Sequence, residues 1–172
     1  MSRRVDAGSN TWALYFDGSD VGVTTNVDAV HVLADGDLVL SYDSANSIPG
    51  LVGGPSGTSV DDSDLVIFDF TTSGASTAGT YSFTFDGSDV GLTTNDEDVD
   101  AIYEFPAGGL GISTVGNVSV TGVSGVDEDV LFFSATQYGA TTAGTYSMYF
   151  DGSDVGLGDS SNEDLDAIDF EN

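Results

Sequence analysis

The chain has 172 residues and a formal net charge of -27, with 29 acidic residues, two basic residues and no cysteine. Such a chain has almost nothing with which to neutralise phosphates, which excludes nucleic acid as a partner and argues against binding to an anionic membrane surface. The absence of cysteine excludes disulfides and thiolate metal sites, and the length fits one domain with its own core.

The first ten residues, 1–10, are polar and small, and we expect them to form a leader ahead of a single domain at 11–172. They lack the apolar stretch of a signal peptide. Either an export signal lies outside this sequence or the protein stays in the cytoplasm. No segment approaches the roughly 20 apolar residues of a membrane span, so we expect no membrane insertion.

Short strand-like runs then follow one another, and no segment has the period of an amphipathic helix. Asp35 and Gly36 lie between two β-branched runs, which predicts a hairpin. Ten strands joined by loops predict an all-β antiparallel meander. The predicted strands are residues 12–16, 27–33, 38–42, 65–70, 81–85, 99–105, 110–113, 130–133, 146–150 and 165–170.

One seven-residue phrase, Phe-Asp-Gly-Ser-Asp-Val-Gly, occurs three times, at residues 16–22, 85–91 and 150–156. Self-similarity of this kind indicates a repeat architecture. The copies anchored on the phrase are 16–84, 85–149 and 150–172. The meander is therefore predicted to contain two and a half repeats of four strands each.

The runs at 65–68 and 130–133 are apolar without a break, which predicts strands buried on both faces. Such strands favour sheets stacked face to face, as in the blades of a β-propeller. Two and a half blades cannot close a ring that needs at least about four. Three alternatives stay open: several chains assemble, the sequence is part of a longer array, or the ten strands close as one β-barrel.

Residues 100–114, Asp-Ala-Ile-Tyr-Glu-Phe-Pro-Ala-Gly-Gly-Leu-Gly-Ile-Ser-Thr, resemble the strand–turn–strand opening of blades in propellers of the gluconolactonase and NHL kind. The Phe-Asp-Gly-Ser-Asp-Val-Gly units resemble tandem Asp/Gly-rich repeats of large secreted or cell-surface proteins of bacteria. This second resemblance covers nearly the whole chain and implies an extracellular or cell-surface location. The repeats are longer than the roughly 40 to 50 residues of common blades.

The loops that the phrase opens all fall at one end of a meander, because successive loops alternate between its two ends. The loops that end at residues 61–64 and 127–129 fall at the same end, and together these loops hold most of the acids. Crowded carboxylates repel by about 1 kcal/mol or more per close pair, and a calcium ion takes about 6 to 8 oxygen ligands. We therefore predict calcium at this acidic rim. The predicted ligands are Asp17, Asp20, Asn26 and Asp28 in the first loop, Asp86, Asp89, Asn95, Asp96, Asp98 and Asp100 in the second, and Asp151, Asp154, Asn162, Asp164 and Asp166 in the third.

The acids can also serve purposes that need no metal. Asp-Gly-Ser-Asp can simply form a turn in which Asp side chains accept backbone N–H groups. The acidity can also be a halophilic composition, in which acids solvate the whole surface. Both alternatives to calcium stay open.

The inventory of reactive side chains argues against catalysis. With no cysteine, no lysine and His31 as the single histidine, catalytic triads, Schiff bases and the usual zinc sites are nearly excluded. A glycosidase needs only two carboxylates, but an active site is normally unique and these acids recur. We expect a non-enzymatic extracellular structural or adhesive module that is stabilised by calcium and associates with itself through strand edges or stacked blades. The alternative is a carbohydrate-binding module or a glycan-active enzyme.

Overall fold

The computed structural model describes residues 12–158 and 163–170, and all of its sheets are antiparallel. Eight strands form two four-stranded sheets, in the orders β1-β2-β5-β6 and β12-β11-β8-β7. A short hairpin interrupts each sheet after its second strand. The strands are β1 (Val27–Val32), β2 (Leu38–Tyr42), β3 (Asn46–Ser47), β4 (Ser59–Val60), β5 (Leu65–Thr72), β6 (Ala78–Phe85), β7 (Val99–Glu104), β8 (Leu110–Thr114), β9 (Val118–Val120), β10 (Val123–Gly125), β11 (Val130–Gln137) and β12 (Ala143–Phe150).

The first sheet is covered on both faces, as its unbroken apolar runs predict. On one face it packs against the second sheet, where Val39 and Leu65 meet Ile112 and Leu131 in one buried cluster. On its other face a second cluster that includes Leu40 is covered by the β3–β4 hairpin and by the first phrase. The strands of the first sheet therefore bury apolar side chains on both faces. Burial of apolar surface is the main favourable contribution to the free energy of folding.

Contacts within each of the first two repeats recur with the same geometry. The backbone N–H of Asp17 donates to the hydroxyl of Thr77 at 2.8 Å, and the N–H of Asp86 donates to the hydroxyl of Thr142 at the same distance. The phrase is therefore attached in the same way to the sheet that follows it in repeats one and two.

Contacts between successive repeats recur as well. The N–H of Val99 donates to the carbonyl of Asp62 at 3.3 Å, and the N–H of Leu165 donates to the carbonyl of Asp127 at 3.2 Å. Residues 163–170 of repeat three thus contact the second sheet in the same way as β7 of repeat two contacts the first sheet.

The predicted all-β antiparallel meander is confirmed, but two of its ten strands do not form. Residues 12–16 pair with no strand among the described residues. Trp12 is 99 % exposed, and of the alternating side chains in this stretch Phe16 packs against a core cluster. Residues 165–170 also form no strand, and they pair with none of the strands in the described part of the chain.

Three further outcomes concern closure, the loops and the leader. The β-barrel alternative is wrong for the part of the chain described, because the strands form separate open sheets. The hairpins β3–β4 and β9–β10 lie within stretches whose sequence indicates loops. The propeller-like arrangement stays a prediction, and the predicted leader at 1–10 lies outside the described residues.

Candidate metal site at the junction of repeats two and three

The opening acids of the three loops form turns. Asp17 accepts hydrogen bonds from the backbone N–H and hydroxyl of Ser19, at 3.1 and 2.6 Å. Asp86 accepts from the hydroxyl of Ser88 at 2.7 Å, and Asp151 accepts from the hydroxyl of Ser153 at 2.6 Å. These carboxylates are therefore used within their own turns.

Each turn is a short 3₁₀ segment that the phrase encodes. The segments are Gly18–Val21, Ser88–Val90 and Gly152–Val155. Each ends at the last glycine of the phrase, where φ is between 82° and 99°, a conformation that other residues adopt at a cost. The second acids of the phrase, Asp20, Asp89 and Asp154, are exposed on these turns.

The closing acids of the second and third loops come together instead. Asp100, at the second position of β7, meets Asp164 and Asp166 from the opening segment of the third repeat. One carboxylate oxygen from each lies within 4.8 Å of the others. We call these three residues the junction cluster, because they join repeat two to repeat three and do not belong to one loop.

Buried carboxylate oxygens without partners mark the same place. Asp100 is 4 % exposed, and neither of its oxygens has a hydrogen-bond partner. Asp98 is 8 % exposed and Asp164 is half-buried, and each has one buried oxygen without a partner. Buried polar groups are nearly always satisfied in folded proteins, so these oxygens call for a proton or a cation.

The electrostatics of the junction cluster favour neutralisation. Burial, and then the neighbouring acids Asp164 and Asp28, raise the pKa of Asp100 to about 8. Burial, and then Asp28 and Asp62, raise the pKa of Asp98 to about 7. Burial and Asp166 also raise the pKa of Asp164. Ionisation of these carboxyl groups therefore carries a substantial penalty, which either a proton or a bound cation would remove.

The remaining predicted ligands lie apart from the junction cluster. Asn26 is exposed and donates to the carboxylate of Asp43 at 2.6 Å. Asn95 and Asp96 are exposed in the 3₁₀ turn Asn95–Glu97. Asp28 is half-buried, and its carboxylate is close enough to Asp166 of the junction cluster for the two charges to interact. Burial, and then Asp43 and Asp166, raise the pKa of Asp28. Asn162 lies outside the described residues.

Three further acids accept hydrogen bonds that hold the loops in place, and none of them was singled out from the sequence. Asp64 accepts from the backbone N–H groups of Asp61 and Gly87, and Asp129 accepts from Val126 and Gly152 in the equivalent places. Alignment of the repeats on Asp64 and Asp129 would have shown that this position recurs.

The third structural acid is Glu97. It accepts from the N–H groups of Thr93, Thr94 and Ser119, at 2.7, 3.0 and 3.2 Å. Burial acts to raise its pKa, but these hydrogen bonds hold the pKa below its ordinary value. Glu97 thus stays charged and has its own partners.

A cleft of about 510 Å³ lies where the first strands of the repeats end. Its walls come from all three repeats and include His31, Tyr103, Glu104, Asp169 and Phe170. His31 packs edge-on against Tyr103, with ring centroids 5.1 Å apart. Burial lowers the pKa of His31, while Glu104 and Asp169 oppose that change.

The arrangement at the junction cluster can hold a metal ion through carboxylate oxygens from two repeats. Comparison with protein-family models, curated proteins and solved structures gives no match. In the part of the chain that the structure describes, no helix has the length and apolar character needed to cross a membrane.

Proposed function

We propose that this chain is a non-enzymatic structural or adhesive repeat module of an extracellular or cell-surface protein, stabilised by calcium at the junction cluster. The observation that carries the proposal is the buried carboxylate of Asp100, unpartnered and within 4.8 Å of two further carboxylates. Asp100 belongs to repeat two and the other two acids belong to repeat three. A bound ion would therefore join consecutive repeats.

Calcium suits this donor set better than other common ions. It binds carboxylate oxygens at 2.3–2.6 Å in irregular geometry, and oxygens on opposite sides of one ion are then up to about 5 Å apart. The spacing within the junction cluster is compatible with that span. No cysteine is present and the cluster contains no histidine, so the softer ligands that favour zinc or copper are absent from it.

Calorimetric titration of the full chain with calcium, after chelation and at low sodium, tests this proposal. We expect saturable binding and a raised melting temperature. Asp100→Asn should abolish both effects, whereas Asp89→Asn, which removes the same charge from an exposed turn, should retain them. The same titration in molar sodium chloride distinguishes specific coordination of calcium from general charge screening, which any cation provides on a halophilic surface.

The outcomes are distinct. If wild-type protein neither binds calcium nor melts at a higher temperature, the proposal fails. If Asp89→Asn weakens the effect as much as Asp100→Asn, a diffuse ion atmosphere replaces the specific site.

We also propose that copies of this module associate, with the third phrase as the contact. Val155 is 67 % exposed, whereas its counterparts Val21 and Val90 pack against the two core clusters. Val155→Ser should reduce association in sedimentation velocity at high protein concentration, and the exposed Val52→Ser should leave it unchanged. A wild-type chain that sediments as a monomer at every concentration would rule this out.

Glycan binding is the second candidate function, and the cleft beside Tyr103 and Phe170 favours it. Aromatic side chains with nearby carboxylates, here Glu104 and Asp169, are typical of sugar sites. A glycan array probed with wild-type protein and with Asp169→Asn tests it. Binding that is lost in the variant supports a glycan site, and an array without signal removes this candidate.

A further inference from the structure

The segment at residues 163–170 contributes to two places at once. At one end it supplies Asp164 and Asp166 to the junction cluster. At the other end it supplies Asp169 and Phe170 to the wall of the cleft. Whatever holds this segment in place therefore also determines the shape of the cleft.

The segment forms no strand, so the sheet ladder does not fix it. The N–H of Leu165 donates to the carbonyl of Asp127, and the hydroxyl of Tyr103 donates to the carbonyl of Phe170 at 3.2 Å. The ring of Phe170 stacks on Phe105 with centroids 5.3 Å apart. Segments held outside a ladder are drawn from the low-stability end of a fold.

Charge acts on the segment in opposite directions with and without a cation. Asp164 and Asp166 lie against Asp100, and Asp28 and Asp127 are further acids that face them. Where these carboxylates are ionised and no cation is bound, their like charges oppose the placement of the segment on the second sheet. A divalent cation among the three carboxylates turns the same contacts into attraction.

We propose that a cation in the junction cluster fixes residues 163–170 against the second sheet and thereby completes the cleft, which makes the cleft a cation-dependent site. This inference rests on the proposed calcium site. A ligand can shift an equilibrium only by its differential affinity for the two states. Here the difference is large, because two of the three carboxylates leave the cluster when the segment moves away.

The second repeat offers an internal control. Its equivalent segment is β7, which pairs with β8 apart from an irregularity at Asp100. The ladder holds β7 in place whether or not a cation is bound to Asp100. Amides of β7 in chelator are therefore the reference for a segment that is held by a ladder.

Hydrogen exchange of the full chain, measured by mass spectrometry with calcium and with chelator, tests the inference. We expect amides of residues 163–170 to exchange faster than those of β7 in chelator, and at least about tenfold more slowly when calcium is added. Asp166→Asn should remove most of this protection. Asp169→Asn, which removes a charge from the same segment but outside the junction cluster, should retain it.

A fluorescent reporter follows the cleft end of the segment. Trp12 is the single tryptophan and is exposed, so Trp12→Phe is a mild background for Phe170→Trp. We expect the emission of the new tryptophan to shift to shorter wavelength when calcium is added, because the ring becomes packed against Phe105.

The possible results separate this inference from the proposed function. Calcium binding by calorimetry with no change in exchange at 163–170 overturns the inference and leaves the calcium site intact. Amides of the segment that exchange as slowly as those of β7 in chelator also overturn it, since the segment then has no local opening for the cation to suppress. Absence of calcium binding by calorimetry removes the proposed site, and this inference with it.

Discussion

The opening and closing acids of the same loops behave differently, although both are aspartates at the acidic end of the repeats. Asp86 opens the second loop and accepts hydrogen bonds from Ser88 and from the N–H of Asp89. Asp100 closes that loop, is equally buried and has no hydrogen-bond partner. Repetition of an acidic residue therefore does not by itself indicate a metal site. The unsatisfied buried oxygen is the more informative feature.

The largest expected effect comes from neutralising the closing acid. Asp100→Asn removes a buried carboxyl group that, without a metal, has to take up a proton or bear an unpaired charge when the chain folds. The metal-free protein should therefore become more stable, by a few kcal/mol or roughly 5 °C or more in melting temperature. Thermal melts in chelator measure this change. Asp89→Asn should shift the melting temperature by less than about 2 °C. A lower melting temperature for Asp100→Asn than for wild-type protein, both without calcium, would contradict the claim that the closing acid destabilises the metal-free fold.

The stability of the metal-free protein should depend on pH through the buried acids whose pKa values are raised. Burial raises the pKa values of Asp64, Asp98 and Asp100 to about 6, 7 and 8. The native state then binds more protons than the unfolded state between about pH 4 and pH 8, so stability falls as the pH rises through this window. The acids facing Asp98 and Asp100 are Asp28, Asp43, Asp62, Asp164 and Asp166.

Urea titrations in chelator at pH 5 and pH 8 measure this dependence. The midpoint should be lower at pH 8, and saturating calcium should reduce the difference because it replaces the protons. A midpoint that rises from pH 5 to pH 8 in chelator would contradict the assignment of the raised pKa values.

A smaller effect is expected at the opening acid. Asp86→Ala removes the acceptor for Ser88 and Asp89 and should cost about 1 kcal/mol, as for other lost side-chain caps of a turn. The loss should be the same with calcium and with chelator in denaturant titrations. A loss that appears only with calcium would place Asp86 among the metal ligands.

The smallest effect is expected at the exposed second acid of the phrase. Asp20→Asn should change stability by less than about 0.5 kcal/mol and leave the calcium titration unchanged, because Asp20 is exposed on its turn. A clear loss of calcium affinity in this variant would instead favour a separate ion in each loop.

The sequence predicted the repeats and the strands well, because apolar runs such as 65–68 and the threefold phrase are local signals. It could not show that Asp100 meets Asp164 and Asp166 across a junction, since that meeting depends on how successive repeats are placed. The irregular state of residues 163–170 was equally hidden, because residues 165–170 have a strand pattern but pair with no strand in the part of the chain that the structure describes.

The position of the ion itself tests the central claim most directly. An anomalous difference map, collected at long wavelength from crystals of the full chain grown with calcium, would locate every ordered ion. We predict a peak bounded by Asp100, Asp164 and Asp166 and none within the three Asp-Gly-Ser-Asp turns. Peaks in those turns, with none at the junction cluster, would contradict this account.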